Sequence, residues 1–264
     1  MKKNKKGLIL KGTAALVLEL LLFAAYADVK SSSVVPVLMY HSFNTDEGKY
    51  ASLCLEPARL ARQIKYLIDG HYNIIGLDKV VAYMTKEEKM PARTVAITAD
   101  DGYESFYEVL YPLLKKYKIP AAVFVIVDRV GQDGYMDWKE IREMSDSGLV
   151  TIGSHTATHP WLPSVSVDED KLRDELARSR DAIEKHIGKS VGYICYPNGG
   201  FNDLVKEAAK KYGYKAAFTT NPKKRSDIND IYAIRRIKIS GSSDDPVTFW
   251  GKVSRYYAWF KERR

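Results

Sequence analysis

The stretch "RTVAITADDG", residues 93–102, decides how the chain is read. Thr94 to Ala99 are small or β-branched, with no charged residue among them, the pattern of a strand buried on both faces. The run ends on Asp100 and Asp101, and Gly102 follows. Adjacent carboxylates repel, and burying them is costly unless a cation or donors compensate. A core strand ending this way delivers the two acids to a site.

Working outward, extended and helical patterns alternate. Before it lie the apolar run "VVPVLMYH" (34–41), the helix-spaced "EPARLARQIKYLIDG" (56–70), the short strand "YNII" (72–75) and the helix "LDKVVAYMTK". Pro57 suits a helix start and Gly70 a stop. After it come the helix "YESFYEVLYPLLKKYK", which Pro112 is expected to kink, and the apolar strand "AAVFVIV" (121–127). "LVTIGSH" (149–155), "VGYICYP" (191–197), "YKAAFTT" (214–220) and "YAIRRIKIS" (232–240) read as further strands, with helices between them and one last helix, "DPVTFWGKVSRYYAWFKE". Strands alternating with helices of this length imply α/β architecture, a parallel sheet covered by helices. So many units without a second core favour a closed or nearly closed (β/α) barrel. An open doubly wound sheet is the alternative. No G-x-G-x-x-G follows a strand, and neither a Walker A motif nor G-x-S-x-G is present, so dinucleotide, P-loop and serine-hydrolase readings lack support.

The 264 residues, 45% hydrophobic, suffice for one large domain, assigned here to residues 34–264. Residues 1–27 combine five lysines with an apolar middle and Ala25-Tyr26-Ala27, and read as an export signal; an uncleaved membrane anchor is the alternative. Residues 28–33 read as a short tether. The expected location is outside a bacterial cell, in the cell wall or anchored to the membrane, which only the N-terminal segment would touch. Of the net charge of +8, the first 27 residues hold +4. The mild basic excess left suits an anionic surface such as cell wall. No basic run interleaves with aromatics, which argues against nucleic acid. Cys54 and Cys195 are too few for a disulfide framework and read as two separate buried thiols.

In barrels of this kind chemistry sits where strands pass into loops. Those positions hold His41, Asp100 and Asp101, His155 with His159 four residues on, and Pro197-Asn198-Gly199. Each has a bland explanation alone; together they suggest a metal site. Two histidines four apart and one carboxylate form a ligand set that Zn²⁺ accepts at about 2.0–2.2 Å while keeping a position for water. Asp101 completes such a set with His155 and His159, and Asp100 remains as a base. The ion's charge would offset the repulsion within the doublet.

At these residues the chain resembles the polysaccharide deacetylases, the NodB-homology group or carbohydrate esterase family 4. "TADDG" is similar to the family's first motif, usually T-F-D-D-G; "HTATH" matches its second, H-[ST]-x-x-H; "YPNGG" resembles its third. The resemblance implies a deformed (β/α) barrel, a divalent metal (usually Zn²⁺, with Co²⁺ and Mn²⁺ open), and removal of acetyl groups from amino-sugar polymers or, in some members, from xylan. It implies Asp101, His155 and His159 as metal ligands, Asp100 as base, and the backbone N–H of Asn198 as oxyanion donor. Two departures stand out. Cys195 occupies the place of the arginine that usually pairs with the catalytic Asp, and no histidine follows His186. The opening "VPVLMYHSF" resembles the subgroup containing the poly-N-acetylglucosamine deacetylases, in which the barrel is circularly permuted and the acid histidine comes from the first strand. That implies His41 as the acid; separately, Arg236, or else Arg235, is the candidate to replace the missing arginine as partner of Asp100. The expected partner is an acetylated glycan: poly-N-acetylglucosamine, peptidoglycan or chitin-like. Tyr103, Tyr135 and Trp161 are candidates for stacking on sugar rings. A two-carboxylate glycoside hydrolase and a non-catalytic glycan-binding barrel are the rival readings.

Overall fold

A computed structural model describes residues 34–45, 51–220, 229–241 and 245–262, together with Val17 and Glu19. The export-signal and tether expectations for residues 1–33 otherwise fall outside the described residues. No helix among the described residues is long and apolar enough to cross a membrane.

The strands are β1 (Val37–Tyr40), β2 (Asn73–Ile75), β3 (Thr94–Ala99), β4 (Ala121–Val125), β5 (Val150–Ser154), β6 (Tyr193–Cys195), β7 (Ala216–Thr219), β8 (Ile234–Arg235) and β9 (Ile237–Lys238). All pair in parallel, in the order β8-β7-β6-β5-β4-β3-β1-β9. β8 and β9 are one strand interrupted at Arg236. Its first half pairs with β7 (Phe218↔Ile234) and its second with β1 (Leu38↔Ile237), which joins the two ends of the sheet. Counted as one, they make a nearly closed eight-stranded barrel. Ala96 pairs with both Val37 and Ile75, so β1 and β2 flank β3 on opposite edges. β4 meets β3 only at Thr98 and Ala99, sharing with β2 the edge opposite β1, which deforms the ring at this point.

Helices cover the outside: α1 (Pro57–Asp69), α2 (Leu77–Met84), α3 (Tyr111–Tyr117), α4 (Trp138–Asp146), α5 (Leu162–Val165), α6 (Glu169–Arg173), α7 (Ser179–Ile187), α8 (Asp203–Lys211), α9 (Pro246–Val253) and α10 (Arg255–Glu262). α1 has Pro in its first turn and buries Leu60, Ile64 and Leu67, the spacing read from the sequence. The kink expected at Pro112 takes the form of a π-turn, Phe106–Leu110, leading into α3. The helical stretch from Glu169 to Ile187 is divided into α6, a second π-turn (Asp174–Arg178) and α7, ended by Gly188 in left-handed backbone. The final helix breaks at Ser254, whose φ of −76° and ψ of 139° are extended.

Strand alternation sorts the side chains. Val95, Ile97 and Ala99 join the cluster under the helices, whereas Val37, Ala96, Ala122, Phe124, Cys195 and Phe218 belong to a second cluster that fills the barrel. Gly153 belongs to this inner layer: a Cβ there would lie 2.5 Å from the Phe124 ring. Continuing the inward parity along each strand leads to His41, Asp100, His155 and Arg236.

Candidate functional site

Those inward positions line a cavity of about 430 Å³, together with Asp101, His159, Asn198, Tyr196, Thr220 and Lys238. The candidate metal ligands, base, acid and oxyanion donor expected from the sequence therefore line one cavity, with Arg236.

Asp100 ends β3 by alternation. Asp101 reaches the same cavity because the backbone reverses, with φ of 72° there and 84° at Gly102. Left-handed backbone at a non-glycine residue costs of order 1–3 kcal/mol and concentrates at functional sites. Thr156 (φ 69°) and His159 (φ 67°) share the trait, so the loop after β5 is also wound to face inward.

Asp101 Oδ1 lies 3.5 Å from His155 Nε2 and 3.7 Å from His159 Nε2. Ligands about 2.1 Å from a tetrahedral ion are about 3.4 Å apart, so the three atoms fit zinc coordination. His155 Nδ1 is 2.8 Å from the Cys195 carbonyl oxygen, to which it donates, leaving Nε2 as the free lone pair. This backbone partner is the outer-shell support that metal-ligating histidines use. Burial pushes His155 down to about 3 and lowers His159 too, so both rings are neutral, as ligands must be. Burial and then the neighbouring Asp100 push Asp101 up to about 7. A cation here would remove that penalty. The Tyr103 hydroxyl also bonds to Asp101.

Asp100 is held differently. Arg236 donates Nη1 to its Oδ1 at 2.6 Å and Nη2 to its Oδ2 at 2.5 Å, a bidentate pair with the residues 4% and 3% exposed. Burial opposes charge on Asp100, yet the guanidinium, with His155 and His41, outweighs it and keeps the carboxyl well below the usual range. Of the two candidates Arg235 and Arg236, Arg236 is the inward one. Its Nη1 also donates to Thr98 Oγ1 at 3.0 Å, its Nη2 to Cys195 Sγ at 2.8 Å, and its guanidinium carbon lies 5.4 Å from the Phe124 ring centre. Cys195 thus stands where an arginine was expected, and the arginine arrives from the interrupted strand instead.

Asp100, His155 and Cys195 also lie close enough together to ligate an ion. A cation there would face the Arg236 guanidinium, already bonded to two of the three, so charge repulsion favours the Asp101–His155–His159 set.

His41, next after β1, is mostly buried, its Nδ1 has no partner, and burial pushes it down to about 4. Asn198 sits at the cavity rim in left-handed backbone (φ 53°, ψ 18°). Tyr103 and Tyr135 stack with centroids 5.1 Å apart and line a second cavity of about 360 Å³, which shares Leu53 with the first. Trp161 is 44% exposed and packs on Gly200. His186 is half-buried, its ring stacked with the Trp138 ring at 3.9 Å between centroids. Both cysteines are buried and neither forms a disulfide. Sequence reasoning did not single out Lys238 and Thr220; their parity on the strands with Arg236 and Phe218 was the available signal.

A family model described as polysaccharide deacetylase matches residues 87–217. The chain is 31% identical over 226 residues to poly-beta-1,6-N-acetyl-D-glucosamine N-deacetylase of Staphylococcus aureus, covering 81% of this chain and 77% of that protein. Among solved structures, a polysaccharide deacetylase from Bacillus cereus superposes with TM-score 0.73 at 30% identity, covering 83% of this chain and 69% of the other. The Streptococcus pyogenes deacetylase PplD, solved with acetate, gives 0.75 at 28%, covering 83% and 98%. With barrel, motifs and relatives in agreement, the chain belongs to the polysaccharide deacetylase family.

Proposed function

We propose that the protein hydrolyses acetyl groups from an N-acetylated amino-sugar polymer of the poly-N-acetylglucosamine class, using one divalent cation, zinc by the chemistry of the donors. The observation carrying this is the convergence of Asp101 Oδ1 with two neutral imidazole nitrogens at 3.5 and 3.7 Å, beside a carboxylate that an arginine keeps ionised. The printed activity of the Staphylococcus aureus relative supports the substrate class.

A cation on Asp101, His155 and His159 would supply Lewis acidity to the acetyl carbonyl and make the attacking water acidic enough for a weak base. The chain's own residues do the rest. Asp100, fixed by Arg236, takes the proton of the attacking water. The Asn198 N–H donates to the developing oxyanion, a contribution of about 3–4 kcal/mol where such donors have been removed. His41 gives a proton to the departing sugar nitrogen, which leaves poorly as an anion. Burial keeps His41 neutral at rest. Negative charge developing beside it, added to that of Asp100, lets it take up a proton from solvent before it donates one to the nitrogen, while Asp100 later releases the water's proton to solvent. The second cavity, with its stacked tyrosines and the shared Leu53, is where a neighbouring sugar of a polymer would bind. Residues 1–27 direct export, placing the enzyme outside the cell, in the wall or at the membrane.

The test is acetate release from acetylated glycans, poly-N-acetylglucosamine, peptidoglycan, chitin oligomers and xylan, with added metal and with chelator. Chelator-sensitive acetate release from the first without new reducing ends is expected. New reducing ends would favour a glycoside hydrolase, and glycan binding without acetate a non-catalytic barrel.

A further inference from the structure

The loop that presents both histidines depends on a residue outside the motifs. From His155 to His159 every backbone N–H has an acceptor: Val125 O for His155, Ser154 Oγ for Thr156, Thr156 Oγ1 for His159, and Glu175 for the two between. Glu175 Oε2 accepts from Ala157 N at 3.0 Å and Thr158 N at 2.9 Å, while Oε1 accepts from Thr158 Oγ1 at 2.6 Å. The residue is 7% exposed and, among the described residues, no cation pairs with it. A buried carboxylate without a cation requires such donors. Glu175 lies in the π-turn Asp174–Arg178, where one extra residue re-aims the side chains of the helix. Facing it, the loop carbonyls of Thr156 and Ala157 accept from Val127 N and Asp128 N, so the loop is clamped from two sides.

The geometry points to Glu175 as a positioning residue: it holds the turn between His155 and His159, with its left-handed residues, in the one shape that aims both Nε2 atoms at Asp101. This rests on the metal reading above. An outer-shell partner of this kind typically governs metal affinity by 10- to 100-fold.

The experiment strips the full chain of metal, reloads it with zinc chloride, and measures zinc affinity by competition with a chromophoric chelator beside the melting temperature. Glu175→Ala is expected to weaken zinc by about 10- to 100-fold. Glu175→Gln, whose carbonyl oxygen still accepts both N–H bonds, recovers most of the loss. Leu176→Ala, a fully buried neighbour in the same π-turn, serves as the control that destabilises without removing any hydrogen bond to the loop. Zinc affinity within about twofold of the parent in E175A, or equal weakening in L176A, overturns the assignment. Where E175A does not fold, Thr158→Val decides: it removes only the 2.6 Å bond at an exposed position, and weakening of about threefold or more supports the role while parent affinity overturns it. His155→Ala separates the two claims. If the parent binds no zinc, or H155A binds it as the parent does, the metal reading itself fails and the positioning role with it.

Discussion

Replacing Arg236 by Met tests the electrostatic frame of the site. Asp100 and Arg236 form a bidentate pair at 2.5 and 2.6 Å, almost wholly out of water. Removing one partner of a buried pair costs about 3–5 kcal/mol, because the other charge is left uncompensated. At about 1.36 kcal/mol per unit, that equals a rise of about 2–4 units in the Asp100 pKa. The sign follows directly. Asp100 acts as a base only when ionised, so a raised pKa removes activity as pH falls through it and restores activity above it. R236M should therefore show acetate release limited by an acid limb about 2–4 pH units above that of the parent, which holds its rate to much lower pH. Its melting temperature should fall by about 6–20 °C, at roughly 2–4 °C per kcal/mol for a chain of this size. Asp100→Leu with R236M removes both charges and should recover most of the stability while remaining inactive. A single R236M variant melting within about 2 °C of the parent, with its acid limb unmoved, refutes the reasoning.

Other outcomes follow from the same geometry. Zinc affinity should fall about tenfold per pH unit below about 7, one proton per ion, because Asp101 must ionise while the histidines are already neutral; a slope of two or more centred near the ordinary histidine value contradicts this. His41→Gln should lower the turnover of N-acetyl sugars by about 10²- to 10⁴-fold. It should spare an aryl acetate, whose leaving group needs no acid; equal losses on both remove His41 as the proton donor. Gly153→Ala should destabilise by about 1–3 kcal/mol in thermal unfolding, since its methyl meets the Phe124 ring; unchanged stability would mean the inner layer is loosely packed.

Much of the fold was legible because parallel strands buried on both faces leave unbroken apolar runs, as in β3 and β4, and because Pro57, Gly70 and Gly188 punctuate the helices by local backbone preference. The candidate metal cluster was legible because Asp101, His155 and His159 are polar residues where apolar runs stop. What could not be read depends on register. Only pairing with β7 on one side and β1 on the other reveals that "RRIKIS" closes the barrel and turns Arg236 inward, since either arginine satisfies the local pattern. The π-turns are likewise tertiary: they shift helix phase to suit contacts such as Glu175 with the loop after β5, and nothing in the helical spacing announces them. The break at Ser254 and the stack of His186 on Trp138 have the same origin.

X-ray absorption at the zinc edge of the reloaded protein tests the central claim most directly, because the two candidate clusters differ in a sulfur. One ion per chain with only nitrogen and oxygen neighbours at about 2.0–2.2 Å is the result expected of Asp101, His155 and His159. A sulfur shell near 2.3 Å would place the ion on Asp100, His155 and Cys195 instead, and failure to retain zinc at all would leave the proposed chemistry without its Lewis acid.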